Sequence, residues 1–469
     1  MRLLEMRMNA KARLCVSRLL AACGVLAPCQ AIAQQSQPPA FKPDRTAEDY
    51  SYLNDRNKRA SALDRIKFVP VAHEGDVYAS FGGEIRERAE TIDRPSFGVG
   101  GREADSYMLQ RILLHADVHL ESGLRVFGQL GAEKAFGKQL LSPPDEDHLD
   151  VQQLFVEVKP RPQLAIRLGR QEMAFNTSQR FVSFRDGTNV RQNFDGARVT
   201  LTLGRLKLDG FAVRPVRLRR GIFDDAGNRQ QAFGGVYGAL GLDSRRSTTI
   251  DGYWMYLDRD AATFGGVSGE EHRHNLGLRS GGGVGKWDWD VEGLLQRGTF
   301  AGQGIRAWGF AADIGYTAPG HWRPRLGLRL DSGSGDRRAS DSTLGTFNPL
   351  FPKGPYFNEA NVTSFANLVA LRPSVRVQPG RILSLEAATQ WKWKEARGDA
   401  VYLGPAAPLA GTRGGPRGIG QVSTIDATLQ LGRHWNLRGY YLHHSAGEAI
   451  EAAGGHAIDF AMASAQFRF

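Results

Sequence analysis

Residues 163–213 read QLAIRLGRQEMAFNTSQRFVSFRDGTNVRQNFDGARVTLTLGRLKLDGFAV, and this stretch decides the fold. In residues 164–169, Leu and Ile alternate with Ala, Arg and Gly, and the alternation returns at residues 197–203 after a long polar insert. A tight turn at Gly204-Arg205 leads directly into a third alternating run. Alternation with a period of two predicts β-strands that have one apolar face and one charged face. The predicted order is strand, long loop, strand, tight turn, strand.

This pattern is compatible with two β-folds. In a soluble sandwich the apolar face points into the core, whereas in an outer-membrane barrel it contacts lipid and the charged face lines a wet lumen. A charged side chain on the lipid face costs roughly 2–4 kcal/mol at the membrane midplane, so the charges of a barrel must point inward. The N-terminus of the chain and the lengths of its connections distinguish the two folds.

Residues 1–33 are predicted to be a secretory signal. Five basic residues precede a short apolar run at residues 19–28, and Ala31-Ile32-Ala33 provides a small-x-small cleavage pattern. All three cysteines lie inside this segment, so we expect no disulfide in the mature chain. Residues 20–23 also resemble a lipoprotein cleavage box, but Arg18 leaves almost no apolar sequence before them, which disfavours lipidation.

The net charge of the chain limits the classes of molecule that it is expected to bind. The signal carries a net charge of +4, so about +7 of the formal +11 remains on the mature protein. In an exported protein this excess favours acidic glycans or anionic solutes over nucleic acid, with a surface adapted to lipopolysaccharide as the alternative. No stretch after the signal has the apolar length that a membrane-spanning helix needs, so a membrane location would require a β-barrel.

Residues 34–78 are polar and are predicted to form a periplasmic arm, and residues 79–469 alternate short and long connections between strands. The short ones fall near residues 122–123, 160–162, 204–205, 243–247, 283–286, 319–321, 379–380 and 432–434. The long ones fall near residues 91–104, 135–148, 172–194, 217–232, 259–271, 299–304, 332–362, 395–420 and 445–456. Eight short and nine long connections predict about eighteen strands. The fold class is therefore all-β, a transmembrane antiparallel barrel in the outer membrane of a Gram-negative bacterium, with short periplasmic turns and long extracellular loops.

Aromatic residues near the strand ends support the barrel. Tryptophans occur beside predicted periplasmic turns and near an outer loop, as is typical of a lipid interface: Trp287, Trp289, Trp322, Trp435, Trp391 and Trp393. The chain ends in an alternating strand whose last residue is Phe469. Such a last strand resembles the signal through which the barrel-assembly machinery recognises outer-membrane barrels.

Two blocks of sequence resemble one family of such barrels. Gly169-Arg170-Gln171-Glu172, followed by RQNFDGAR at residues 191–198, resembles the signature of the alginate-export family. Residues 334–352, with SGD at the start, Asp341, and GTFNPLFP at the end, are similar to another block of that family. The likeness extends loosely from about residue 80 to the C-terminus. It implies an eighteen-stranded barrel whose arginine-rich lumen conducts a polyuronate.

Strand alternation places many basic side chains on the charged face, and these are the candidate pore-lining residues. They are Arg86, Arg88, Arg111, Arg125, Arg167, Arg198, Lys207, Arg325, Arg329, Arg376, Lys392, Lys394 and Arg438. Guanidinium groups bind carboxylates in a bidentate manner, and a row of shallow sites would let a polyanion slide. Many acidic residues share the same face, so the mixed lumen of a general porin is the alternative.

The segment from Arg170 to Arg198 is expected to form the third outer loop, to fold inward and to narrow the pore. Arg170, Arg191 and Asp195 are its further candidate site residues. By the family resemblance and by charge complementarity, Asp195 would pair with one arginine. The alternative is an exposed basic loop that contacts lipopolysaccharide phosphates.

The sequence thus predicts a passive outer-membrane channel for an anionic polysaccharide, with alginate or a related polyuronate as the first candidate. The alternative is a porin that takes up small anionic or aromatic solutes, and an outer-membrane hydrolase or lyase is the least favoured interpretation. Trp287 replaces the Ser or Thr of a phosphate-binding loop at residues 281–286, and Glu270 replaces the second glycine of a nucleophile elbow. We expect no enzymatic activity and no cofactor. The acidic stretches at residues 145–147 and 331–341 are interpreted as solvated loops, with weak calcium binding as the alternative.

Overall fold

The computed structural model describes residues 39–59, 61–72, 75–101, 103–243, 247–264, 266–338, 341–404 and 407–469. The predicted signal and its cleavage site lie outside the described residues. Residues Phe41–Phe469 form one compact unit. In the part of the chain that the structure describes, no helix has both the length and the apolar composition of a membrane span.

Eighteen antiparallel strands close into a barrel, as the alternation predicts. The barrel strands are β2 (Val77–Ile92), β3 (Asp105–His119), β4 (Leu124–Phe136), β5 (Asp147–Arg161), β6 (Leu164–Gln171), β7 (Phe194–Leu203), β8 (Leu206–Arg217), β10 (Gln231–Gly241), β11 (Thr249–Phe264), β12 (Val267–Val284), β13 (Trp287–Phe300), β14 (Gln303–Thr317), β15 (Arg325–Gly333), β17 (Leu368–Val377), β18 (Leu383–Trp393), β21 (Gly418–Leu431), β22 (Trp435–Ala446) and β23 (Ile458–Arg468). The barrel closes where β23 pairs with β2, with Ile85 opposite Phe467. Because every barrel strand has a partner on both sides, the backbone groups of the wall are satisfied without water.

Short elements complete the described chain. The remaining strands are β1 (Val69–Ala72), β9 (Ala226–Gly227), β16 (Thr343–Leu344), β19 (Tyr402–Leu403) and β20 (Ala407–Pro408). The α-helices are Asp64–Lys67 and Glu448–Glu451, and the 3-10 helices are Arg45–Ala47, Ser51–Asn54, Arg56–Lys58, Pro95–Gly98 and Glu121–Gly123. None of them spans the barrel.

The eight predicted short turns are confirmed. They lie at one end of the barrel, where the first barrel strand also begins and the last one ends. This end faces the periplasm in outer-membrane barrels. The turn at residues 243–247 includes residues 244–246, which lie outside the described residues, and it joins Gly241 to Thr249. The weakly alternating stretch near residues 233–242 forms the strand β10.

Two predicted outer loops are wrong. The expected loop at 259–271 is largely strand, because β11 ends at Phe264 and β12 begins at Val267. Likewise, the expected loop at 299–304 is a tight turn between Phe300 and Gln303. The polar residues that suggested loops include lumenal charges such as Glu271, which is fully buried inside the barrel. A long strand that carries many charged residues on its inner face therefore has a polar sequence similar to that of a loop.

The two faces of the wall differ as predicted. On β12, Leu276 and Leu278 point outward and are 60% and 64% exposed. Their neighbours Arg273, Asn275 and Arg279 point inward and are buried. Apolar residues on the outside and hydrogen-bonded polar residues on the inside are the arrangement that a lipid environment selects.

Residues 41–68 lie against the periplasmic end of the barrel. Arg45, which is buried, donates hydrogen bonds to the backbone oxygens of Gly83 (3.1 Å) and Phe469 (2.8 Å). Inside the wall, Arg125 donates to the backbone oxygen of Thr46 at 2.9 Å. These contacts join the segment to both the first and the last strand, so it occupies part of the periplasmic mouth.

Candidate functional site: the lumen

The loop at residues 172–193, between β6 and β7, folds into the barrel. Arg86 on β2 donates hydrogen bonds to the backbone oxygens of Asp186 (2.9 Å) and Thr188 (2.7 Å). Arg111 on β3 donates to the same two oxygens at 2.9 and 3.0 Å. Two arginines of β2 and β3 therefore hold the tip of the loop by its carbonyl groups.

A second arm of this loop reaches another part of the wall. Arg180 lies 2.5 Å from a carboxylate oxygen of Glu292 on β13 and 3.1 Å from one of Asp290. Its Nε donates to the hydroxyl of Tyr356 at 2.8 Å, and that hydroxyl donates to Asp331 at the same distance. Since the tip contacts β2 and β3 while Arg180 contacts β13, the loop crosses the lumen.

The loop at residues 334–367, between β15 and β17, also enters the lumen. It is bound to the first loop by backbone hydrogen bonds, from Ser183 to Phe351 at 3.0 Å and from Phe351 to Phe181 at 3.1 Å. Its Glu359 accepts from Arg438 on β22 at 2.7 Å. The two loops thus form one layer across the barrel, packed by a large cluster of buried aromatic side chains.

Two cavities lie on opposite sides of this layer, and Pro355 lines both. The one beside the periplasmic turns has a volume of about 860 Å³, and the one beside the outer loops about 990 Å³. The periplasmic-side cavity is lined by eight basic residues and five acidic ones: Arg180, Arg198, Lys207, Arg279, Arg325, Arg329, Lys353, Arg376, Asp209, Asp251, Asp288, Asp290 and Asp313. The outer-side cavity is lined by two basic and five acidic ones: Arg88, Lys138, Glu90, Glu103, Asp105, Asp145 and Glu359. The periplasmic-side cavity therefore has a basic lining and the outer-side cavity an acidic one.

Most of the candidate arginines face the lumen and are paired with carboxylates. The pairs are Arg88 with Glu90 and Glu359, Arg111 with Glu84, Arg125 with Asp117, Arg167 with Glu157, Arg198 with Asp209, Arg325 with Asp288, Arg329 with Asp331, Arg376 with Glu386, and Arg438 with Asp426. Lys207 is half exposed and lies 3.7 Å from Asp209. The pairing holds each guanidinium group in place. It also makes the electrostatic potential of the lumen less positive than a row of unpaired arginines would produce.

A few lumenal cations lack an acidic partner. Among the described residues, no carboxylate oxygen lies within 4.0 Å of a side-chain nitrogen of Arg86, Lys353 or Lys392. Lys392 donates to the hydroxyl of Thr363 at 2.6 Å. The Lys353 side chain has an exposed surface at the cavity, and its position deep among protein groups lowers its pKa from the ordinary lysine value through burial. Of these three cations, Lys353 is the one that is exposed.

Arg191 lies inside a buried network instead of on the pore surface. Its guanidinium group lies 3.5 Å from Glu172 and 3.4 Å from Glu84, and it also contacts Asp186. Burial raises the pKa of Glu172 to about 7, although Arg191 opposes the shift. Arg191 and Arg111 hold the pKa of Asp186 well below its usual range despite its burial. This network anchors the base of the infolded loop.

Arg170 pairs with Asp195, but it does not share the lumenal face. The two side chains are joined at 2.8 Å, and Arg170 also lies 3.2 Å from Asp150. In the strand register Arg170 is opposite Leu154, whose side chain is 54% exposed on the outside of the barrel. The expectation that Arg170 and Asp195 line the pore is therefore corrected, because their strand positions alternate away from Arg167.

Lys394 is also placed away from the pore surface. It follows the last residue of β18 and is fully buried. Its ammonium group donates to the backbone oxygens of Thr412 (2.9 Å), Arg397 (3.1 Å) and Asp399 (3.2 Å). Lys394 therefore holds together the outer loop at residues 394–417.

Sequence reasoning missed the contribution of the loop at residues 334–367. Lys353, Tyr356 and Glu359 come from this loop and line the cavities. The one signal in the sequence was the length of this loop, because a loop that is longer than the barrel strands has room to fold into the lumen. Alternation cannot show where such a loop goes.

A closed eighteen-stranded barrel with an apolar outer face and a charged lumen is an outer-membrane channel. The sequence profile of a family described as "Alginate export" matches residues 77–464. The chain belongs to this alginate export family. No sequence among the curated proteins matches it.

Solved structures of outer-membrane proteins from Pseudomonas aeruginosa share the fold. OccK3 (OpdO) is 14% identical with a TM-score of 0.56, and the alignment covers 83% of this chain and 95% of that one. OccK2 (OpdF), solved in complex with glucuronate, is 12% identical with a TM-score of 0.56, over 83% and 98% of the two chains. The outer membrane protein OpdK is 12% identical with a TM-score of 0.55, over the same shares. At these identities the likeness establishes the barrel fold alone.

Proposed function

We propose that this channel exports an anionic polysaccharide, with alginate or a related polyuronate as its substrate. The observation that carries the proposal is the opposite charge of the two cavities. The periplasmic-side cavity has three more basic than acidic residues in its lining, and the outer-side cavity has three more acidic than basic ones. The basic cavity would attract a polyanion into the lumen from the periplasm, and the concentration gradient of the polymer would carry it past the acidic outer cavity, because a fixed charge pattern cannot by itself drive net movement.

The paired arginines suit a sliding polymer. Arg325, for example, is held 2.5 Å from Asp288, whose side chain is 45% exposed. A uronate carboxylate can replace such an acid transiently, because the competing pair keeps each binding step shallow. The unpaired Lys353 would provide the first direct contact at the loop layer. Transport of this kind is passive, and no enzymatic step is part of the proposal.

A second candidate is the uptake of small anionic solutes. It is favoured by the loop layer itself, since the backbone hydrogen bonds between residues 181–183 and Phe351 separate the two cavities. A polymer requires these loops to move apart, whereas a monosaccharide acid could pass beside them. OccK2, which has a similar barrel, was solved in complex with glucuronate, and this supports a uronate as a candidate solute.

Single-channel recording in planar bilayers tests both proposals. For export, we expect anion selectivity and block by oligouronates of several residues added on the periplasmic side, with weaker block from the outer side. A preference for cations, or no block by oligouronates, would contradict the export proposal. If monomeric uronates permeate and oligouronates do not block the current, the result would support the uptake of small solutes instead.

Two further partners are proposed from the outer surface. Phe469 closes the barrel through paired hydrogen bonds with Gly83 at 2.9 and 3.0 Å, and we propose this terminal strand as the contact for the barrel-assembly machinery. Arg297 and Arg306 are directly opposite one another on β13 and β14 and are exposed on the outer face. They would contact the phosphates of lipopolysaccharide, since anionic headgroups attract basic residues at the interface.

A further inference from the structure

Three carboxylates meet at the outer edge of the wall, where the loop after β8 reaches β5. One oxygen from each of Asp147, Asp150 and Asp225 lies within 4.8 Å of the others. Asp147 and Asp150 are 2% and 5% exposed. None of the three lines either of the two lumenal cavities. The cluster is therefore not part of either cavity.

The negative charge of this cluster is not balanced by the protein. Among the described residues, Arg170 is the one cation within 4.0 Å of these three side chains; it lies 3.2 Å from Asp150 and is shared with Asp195 at 2.8 Å. Asp147 has no such cation, and its buried Oδ1 has no hydrogen-bond partner. A buried carboxylate in a cluster with two other carboxylates is stabilised when a proton or a metal cation neutralises its charge, and three converging oxygens suit a metal cation.

The geometry points to a calcium ion bound by Asp147, Asp150 and Asp225. Calcium takes six to eight oxygen ligands and tolerates irregular arrangements, so carboxylates on two different segments suit it. The oxygens of Asp150 already accept from backbone nitrogens and from Arg170 but retain lone pairs for a metal. Sites of this kind on extracellular proteins bind calcium in the submillimolar to millimolar range.

This site differs from the two acidic stretches that the sequence suggested. Asp145 is bound to Lys138 at 2.5 Å, Glu146 lies 3.3 Å from His148, and Asp331 is paired with Arg329. Asp147 alone joins the cluster, because the loop after β8 brings Asp225 to it. Sequence spacing could not reveal a site that two distant segments share.

The ion would join the loop at residues 218–230 to β5. This loop already contacts β5 through a backbone hydrogen bond from Phe223 to Leu149 at 2.9 Å and one from Asp225 to the Asp150 carboxylate at 2.9 Å. With three carboxylates neutralised, the loop would be fixed above the short strands β6 and β7. Calcium should therefore protect the loop from proteolysis.

Calcium binding is tested on the full-length folded barrel after treatment with a chelator. Isothermal titration with Ca²⁺, supported by Tb³⁺ luminescence, should show one site per chain. The double variant Asp147→Asn/Asp225→Asn should lose this site, whereas the control Asp341→Asn, which alters an exposed residue of the other acidic stretch, should keep it. No binding by the native protein at millimolar Ca²⁺, or equal binding by the double variant, would overturn the proposal.

A second measurement uses the native protein alone, so it does not depend on how the variants fold. Trypsin should cleave after the exposed residues Arg219 and Arg220 several-fold more slowly in Ca²⁺ than in chelator. The rate of cleavage after Arg337, which is 77% exposed in another loop, should stay the same. Equal cleavage after Arg219 and Arg220 under both conditions would also count against the site.

Discussion

The guanidinium group of Arg180 lies 2.5 Å from the carboxylate of Glu292, and both side chains are only 2% exposed. This contact attaches the loop at residues 172–193 to β13, across the lumen from its contacts with β2 and β3. Breaking a buried ion pair by removing one partner leaves an uncompensated charge, which costs about 3–5 kcal/mol. The pair is therefore the main attachment of the infolded loop on that side.

Arg180→Ala and Glu292→Gln should each release this arm of the loop. We expect the free energy of unfolding to fall by about 3–5 kcal/mol in each single variant and by less than the sum in the double variant. Single-channel conductance should rise because the loop is free to move aside. Arg381→Ala, which alters an exposed residue of the turn between β17 and β18, is the control. Unchanged conductance and stability in both single variants would show that the contact does not hold the loop.

Lys353→Glu should reduce anion selectivity. The substitution lowers the formal excess of the periplasmic-side cavity from three positive charges to one, in a narrow polar pore where the field is focused. Reversal potentials in a salt gradient measure the effect, and Lys134→Glu, at an exposed outward position, is the matched control. If both variants keep the native selectivity, the lumenal contact that controls permeation lies elsewhere.

The protonation of Glu172 should contribute to the pH dependence of the free energy of unfolding. Burial raises its pKa to about 7, so the folded state holds a proton that the unfolded state releases near pH 4.5. Glu172 should therefore favour the folded state below about pH 4.5, and this contribution should decline as the pH rises to about 7 and then level off. Glu172→Gln should remove this decline, as measured by thermal unfolding in detergent from pH 4 to pH 8. An identical slope in the native protein and the variant would assign the dependence to another group.

Deleting residues 41–68 should widen the periplasmic mouth. The segment is held by Arg45 and Arg125, and its Pro43 carbonyl also accepts from Arg191 of the infolded loop at 3.3 Å. We expect higher conductance and weaker rectification of anion current, since access to the basic cavity is less restricted. Arg45→Ala should shift conductance in the same direction by a smaller amount. A deletion that folds normally and conducts as the native protein does would place the segment outside the permeation path.

The sequence by itself determined the barrel, because alternation is a local property of each strand. The apolar and charged faces, the eight tight turns and the eighteen strands all follow from the period of two and from connection lengths. Alternation also predicts that Arg170 points outward, because it lies three residues from the lumenal Arg167 on the same strand. The sequence interpretation missed this because it assigned Arg170 to a loop. The long strands around residues 259–271 were missed because their inner charges resemble loop sequence.

Only the tertiary structure decided which lumenal charges are neutralised and where the long loops lie. Arg88 pairs with Glu359 at 3.2 Å, and Asp225 joins Asp147 and Asp150, although each group is assembled from segments far apart in the chain. Such contacts depend on the closure of the barrel and on the path of loops that have no repeating pattern. The strand period specifies which face a side chain occupies, whereas its partners across the lumen are set by the folding of the whole chain.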